Sequence, residues 1–419
     1  MAKNITKKHV HAGSILLLKS SKKTLNWVVC VLLGVIIVEL FLYLIVSSTG
    51  DRKSQNSKLT AERFFTQCSN QRDWRTCYGK LFKQLVKNQD IQYAVAVIHN
   101  LQHLDARTRD CHIPAHYSAI AAVEKDPPRW QDFIKKLNIS ECNYGFLHGT
   151  LEGLSEFDPN FQLDAESIPK ICEIFADGDL TKDTEQGCSH AMGHILLGQT
   201  CTKTVEEGIR KSVDVCSALP SSFRIECYSG VFMESFTRDN LAVHCNTPHI
   251  AWGTEPEIKR EEEICNSYTG EAAIGCWYKI SYMYNALSPH NPPFVYEKCS
   301  RAPNSIAVLE CYLNAAEHEM IYKEDADREY FASICKPLEK DDASYRKCYR
   351  NVTGSIIYAS SKFAPRAIEF CYAMKKEFQG SCFSQLTNLL IRKVNLSERL
   401  NYCQLLPETF RSSCIGNSK

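Results

Sequence analysis

The chain has 419 residues, with 49 Lys and Arg against 48 Asp and Glu and a formal net charge of +1 at pH 7. That balance, with no basic stripe or nucleic-acid motif, excludes a protein built to hold nucleic acid. The length admits one elongated or two compact globular units.

Residues 1–26 carry Lys3, Lys7, Lys8, Lys19, Lys22 and Lys23 and no acid. The apolar run Trp27–Val46 follows, at about 20 residues long enough to cross a bilayer as a helix. The basic flank predicts a cytoplasmic tail at 1–26, a single-pass signal-anchor at 27–47 and an extracytoplasmic remainder in a periplasm, on a cell surface or in a secretory lumen. A cleaved signal peptide is the competing reading, but the run is long for one and Ser47-Ser48-Thr49-Gly50 fits a cleavage site poorly. Glu39 is costly inside a span. It is read either as a tolerated polar residue or as a contact between two copies of the span, which predicts a homo-oligomer. Residues 48–60 read as a polar stalk.

Of the 21 cysteines, all but Cys30 lie beyond the apolar run, an even set that implies a disulfide framework. Spacing suggests that Cys68 pairs with Cys77, Cys172 with Cys188, Cys216 with Cys227 and Cys265 with Cys276. It likewise suggests Cys299 with Cys311, Cys335 with Cys348, Cys371 with Cys382 and Cys403 with Cys414. Cys111 with Cys142 and Cys201 with Cys245 complete the set. No CxxC occurs, which disfavours thiolate zinc sites. Asn138, Asn351 and Asn395 each head a glycosylation sequon.

The cysteines mark a repeat. First cysteines recur at 265, 299, 335, 371 and 403, in steps of 32–36 residues, the period of a helix-pair unit. An aromatic residue usually follows the second cysteine (Tyr228, Trp277, Tyr312, Tyr349, Phe383), and the fourth position is apolar (Phe146, Met192, Val231, Ile280, Ala315, Val352, Leu386). These positions share one helical face and predict the buried one. In period and helix pairing, the stretch from Cys172 to Cys414 resembles α-solenoids of the tetratricopeptide and Sel1-like kind, which implies stacked helix pairs; no site residue carries over. The expected fold is all-α: a transmembrane helix, then a cysteine-rich right-handed stack of helix-pair repeats. A His-rich disulfide-bonded helical domain is expected at 61–255 and a more regular repeat array at 256–419, with the segment 246–264 between them read as a long loop.

Nine of the 13 histidines lie between residues 99 and 249. His112 and His116, like His190 and His194, have the i, i+4 spacing that places both rings on one helical face. His148 and His194 each stand six residues after a cysteine, so stacking brings them to equivalent places. His112, His116, His148, His190 and His194 are therefore the candidate ligands for a transition metal such as Zn, Cu or Fe. Gly145, Gly149, Gly193 and Gly230 on the same helices suggest close approach of a helix or ligand. Glu152 and Glu234 are the candidate general bases, and Met233 precedes the second of them. No HExxH or CxxCH is present, which removes the familiar zinc-protease and covalent haem motifs. His99 and His103 read as part of an ordinary amphipathic helix, and Ser155 as surface.

Two functions are expected from this pattern. One is a membrane-anchored scaffold that binds a protein or peptide on a curved helical surface. The other is a metal-binding protein, or a metal-dependent hydrolase or redox protein, that uses the histidine cluster.

Overall fold

A cysteine near the end of one helix, bonded to a cysteine near the start of the next, forces the chain to reverse and lays the second helix against the first. The computed structural model describes residues 54–416 apart from 72, 136, 138–140, 176–181, 202, 238–253 and 324. Among the described residues the chain is all-α with no strand. Residues 57–419 form one compact unit. The expected tail and the anchor at 27–47 lie outside the described residues, as do Cys245 and Asn138. Among the described residues no helix is long and apolar enough to cross a membrane.

The helices run in order α1 (54–68), α2 (Trp74–Asn88), α3 (Ile91–Leu104), α4 (His112–Lys125), α5 (Trp130–Ile134), α6 (Gly145–Phe157), α7 (Ser167–Phe175), α8 (Lys182–Thr200), α9 (Val205–Ala218) and α10 (Ser221–Thr237). They continue as α11 (Glu255–Asn266), α12 (Gly270–Leu287), α13 (Pro292–Cys299), α14 (Ser305–Tyr322), α15 (Arg328–Cys335), α16 (Asp342–Ala359), α17 (Ala364–Ala373), α18 (Lys376–Lys393), α19 (Leu396–Leu405) and α20 (Glu408–Gly416). Each even-numbered helix from α2 to α18 packs on the next even-numbered one, which makes an inner layer, and the odd-numbered helices lie outside it. The packing of α10 on α12 joins the chain on either side of 238–253.

The bridges suggested by spacing are present. Cys68 is bonded to Cys77, Cys172 to Cys188, Cys216 to Cys227 and Cys265 to Cys276. Further along, Cys299 is bonded to Cys311, Cys335 to Cys348, Cys371 to Cys382 and Cys403 to Cys414. Each joins an outer helix to the inner helix that follows, with Cα–Cα separations of 5.4–5.9 Å. Each closes a loop of about a dozen residues and contributes roughly 3 kcal/mol in the chain-entropy model. The bridge from Cys111 to Cys142 is also present, with a Cα–Cα separation of 4.7 Å, and Cys201 is disulfide-bonded. The aromatic residues after the second cysteines are buried, Trp277 completely. Short polar side chains cap the helices: the Asp341 carboxylate accepts from the Ala343 and Ser344 N–H groups at the start of α16.

The stack bends round until its beginning meets its later helices. The segment 141–144 packs on α16, Arg109 donates to the Tyr322 carbonyl (3.5 Å), and the Tyr322 hydroxyl donates to Asp110. Cys111 Sγ lies 3.7 Å from the Ala359 carbonyl oxygen. The turn at this junction is left-handed at Cys142, Asn143 and Tyr144, with φ of 56°, 53° and 62°. That conformation is unfavourable for residues with a Cβ, and the bridge from Cys111 to Cys142 and the packing on α16 hold it in place.

Three local expectations change. Residues 54–60, read as part of a stalk, are helical. Residues 255–264, read as part of a long loop, open α11, because Glu257 accepts from both the hydroxyl (2.7 Å) and the N–H (3.4 Å) of Thr254 in a capping box. Of the sequons, Asn395 caps α19 at the surface, whereas Asn351 lies on the inner layer and hydrogen-bonds Glu317.

The glycines explain how closely the inner helices approach. A Cβ on Gly149 would stand 2.0 Å from the His116 carbonyl oxygen, one on Gly193 2.1 Å from that of Cys227, and one on Gly230 2.0 Å from that of His190. Gly230→Ala is therefore expected to destabilise the protein by about 1–3 kcal/mol through overpacking, read from its denaturant midpoint. Gly380→Ala, on α18 with nothing near its Cβ, is expected to leave the midpoint unchanged or to raise it.

Candidate functional site

The inner helices enclose a cavity of about 1050 Å³, lined by residues of α2, α4, α6, α8, α10, α12, α14, α16 and α18. The helical register decides what faces it. At roughly 100° per residue, the sixth position after the second cysteine lies roughly 240° round the helix from it, on the side away from the outer partner. His148, His194, Met233, Tyr282, Glu317 and Gly354 occupy that position, and all line the cavity.

The five candidate histidines come together here. The rings of His112 and His116 are 5.9 Å apart on α4, and His112 is 4.9 Å from His148 on α6. His148 stands 5.3 Å from both His190 and His194 on α8, which are 4.8 Å from each other. The glycine contacts between α4 and α6 make this approach possible.

Hydrogen bonds fix which nitrogen each ring offers. His112 Nδ1–H donates to the Asn143 carbonyl at 3.1 Å, which leaves its Nε2 with a lone pair. His190 Nδ1 and the Ser229 hydroxyl are hydrogen-bonded at 2.7 Å, and the same hydroxyl reaches the Glu226 carbonyl at 2.9 Å. His194 Nδ1–H donates to Glu234 at 3.2 Å. The Nε2 atoms of His190 and His194 are 3.2 Å apart, a spacing satisfied either by a proton shared between the two rings or by a cation bound to both. His148 Nε2 is buried with no hydrogen-bond partner.

Burial pushes the proton affinity of His112 down, to about 4, with the charge of nearby His116 adding to it. Burial likewise holds His148, His190 and His194 well below the ordinary value of 6.5; His112 adds to the effect at His148, and the charge of Lys279 at the other two. These rings are neutral at pH 7, the state in which imidazole binds a metal.

The shell is not closed. Among the described residues no group of three His, Cys, Asp or Glu side chains is placed to hold a metal ion. Glu152 pairs with His116 at 2.6 Å and Glu234 with His194 at 3.2 Å, so both carboxylates orient histidines. His99 pairs with Glu141 at 2.8 Å, outside the cavity lining.

Sequence reasoning missed half of this wall. Lys279, Tyr282, Glu317, His318 and Tyr322 also line the cavity. His318 Nδ1 is buried without a partner, and its ring lies 4.4 Å from Tyr322 and 5.4 Å from Tyr282. The signal was available: Tyr282 and Glu317 stand at the same place after their cysteines as His148 does. No protein-family model, curated protein or solved structure matches the chain.

Histidines that hold protons less tightly when folded bind fewer of them than the unfolded chain does, so stability rises with pH across the interval between the two affinities. For the metal-free protein, stability is expected to be complete above about pH 6.5 and to fall as the pH drops towards about 4, the window set by His112. Urea denaturation at a series of pH values reads this, and His148→Gln is expected to flatten the slope. A profile level from pH 7 to pH 4 would contradict it.

Proposed function

We propose that the protein binds a transition-metal ion in its central cavity, at the end formed by His148, His190 and His194. The observation that carries this is the approach of His190 Nε2 and His194 Nε2 to 3.2 Å, with both Nδ1 atoms held by hydrogen bonds. Serine, carbonyl and carboxylate partners on the far nitrogen are the usual support of a metal-bound imidazole. His148 supplies the third donor by a turn of its ring, since its Nε2 has no other partner. His112 and His116 flank the site. An imidazole donor set suits zinc, copper or iron, which would supply Lewis-acid or redox chemistry in the cavity.

The disulfides support an oxidising compartment outside the cytoplasm, in keeping with the anchor read at 27–47. A scaffold for an extended chain has less support, because closure of the stack turns its concave face into a cavity wall. What remains for it is the exposed leucines of α19, with Leu396 at 47% and Leu405 at 49% exposure.

Elemental analysis tests the metal reading. The full chain, purified without chelators and then supplied with Zn(II), is expected to hold about one equivalent per chain. The paired substitution His190→Gln and His194→Gln is expected to lose it while the circular dichroism spectrum stays helical. A wild-type chain that retains no zinc, copper or iron would end this proposal.

A further inference from the structure

The same cavity holds a buried lysine that has no hydrogen-bond or ion-pair partner among the described residues. Lys279, on α12, is 6% exposed and lines the cavity. Its Nζ lies over the rings of Tyr278 at 4.7 Å and Tyr282 at 5.2 Å. Among the described residues no hydrogen bond or ion pair holds the ammonium group. Glu226 and Glu317 favour its protonated form by their charge without reaching it. Glu317 instead accepts from the Ser355 hydroxyl at 2.5 Å. Burial lowers the proton affinity of Lys279 to about 8, so it is a cation at pH 7. A buried cation that no carboxylate reaches is costly, and the two aromatic faces and the more distant charges of Glu226 and Glu317 offset only part of that cost.

We propose that this wall binds the carboxylate of a small organic monoanion, with Lys279 Nζ donating to the carboxylate and the Tyr278 and Tyr282 rings lying against the carbon skeleton. The class of ligand follows from the charges around the lysine. One carboxylate in contact with Lys279 Nζ gives it the direct ion pair that Glu226 and Glu317 do not. A second negative charge, as on a phosphate group, would face Glu226 and Glu317 with no further cation among the groups that govern Lys279. The two tyrosine rings offer flat apolar surface suited to a hydrocarbon or aromatic portion. The inference goes beyond the metal reading and does not need it, since Lys279 and the tyrosines lie on α12 and the histidines on α4, α6 and α8.

The test uses the oxidised full chain with benzoate, its uncharged analogue benzamide, and inorganic phosphate. Benzoate is expected to raise the thermal midpoint in a concentration-dependent way, as a ligand of the folded state does, with benzamide and phosphate giving no shift. Lys279→Met is expected to abolish the benzoate shift and Lys279→Arg to keep part of it. Should the methionine variant not fold, modification of Lys279 by an amine reagent, mapped by mass spectrometry on the wild-type chain, gives a second reading: benzoate is expected to slow it several-fold. Equal shifts from benzoate and benzamide, no shift from benzoate, a larger shift from phosphate, or an unchanged rate of Lys279 modification would each overturn the proposal. Metal content is measured on the same samples, so loss of anion binding and loss of metal are read separately.

Discussion

The covalent bond between each outer helix and the inner helix that follows it is the constraint on which this molecule rests. It does more than close a loop. By fixing the second cysteine towards the outer partner, as with Cys276 and Cys311, it sets the rotation of the inner helix about its own axis. Every residue of that helix then has an assigned side. Aromatic residues next to the cysteine enter the core between layers, as with Trp277 and Tyr312. Residues on the far side, such as His148, His194 and Tyr282, are left to face the cavity.

The inner layer then has to close. Glycines at the inner contacts remove the Cβ atoms that would hold α4 from α6 and α8 from α10. Polar rings on neighbouring helices thereby come within 4.9–5.3 Å of one another. The left-handed turn at 142–144 has a related role. It carries the Asn143 carbonyl to His112 and lays the chain against α16, so one unusual turn both orients a histidine and seals the ring. Packing, backbone conformation and the candidate chemistry are thus coupled at the same few residues.

Burial acts on two kinds of group in the cavity. It keeps the imidazoles neutral. It lowers the proton affinity of Lys279 without discharging it at pH 7. The charge of Lys279 helps in turn to hold His190 and His194 neutral. Neutral imidazoles and a buried cation in one cavity suit a ligand that carries an anionic group, whether or not a metal takes part.

Much of this was written locally. Helix pairs, the eight spaced bridges, the buried aromatic face and the convergence of His148, His190 and His194 follow from cysteine spacing and helical period, because a short covalent loop and a turn of 3.6 residues leave little freedom. The capping box at Thr254 was equally legible, yet the charge run after it obscured the helix. Closure of the stack into a ring was not legible. It accumulates from small rotations between successive pairs that no single unit reveals, and it brings Asp110 beside Tyr322 from more than two hundred residues away. The sequence by itself determined the repeating unit and which side of each inner helix is polar. Only the tertiary structure decided that those polar sides enclose one cavity, and that Lys279 and His318 share it with the histidines, because curvature is a property of the whole stack.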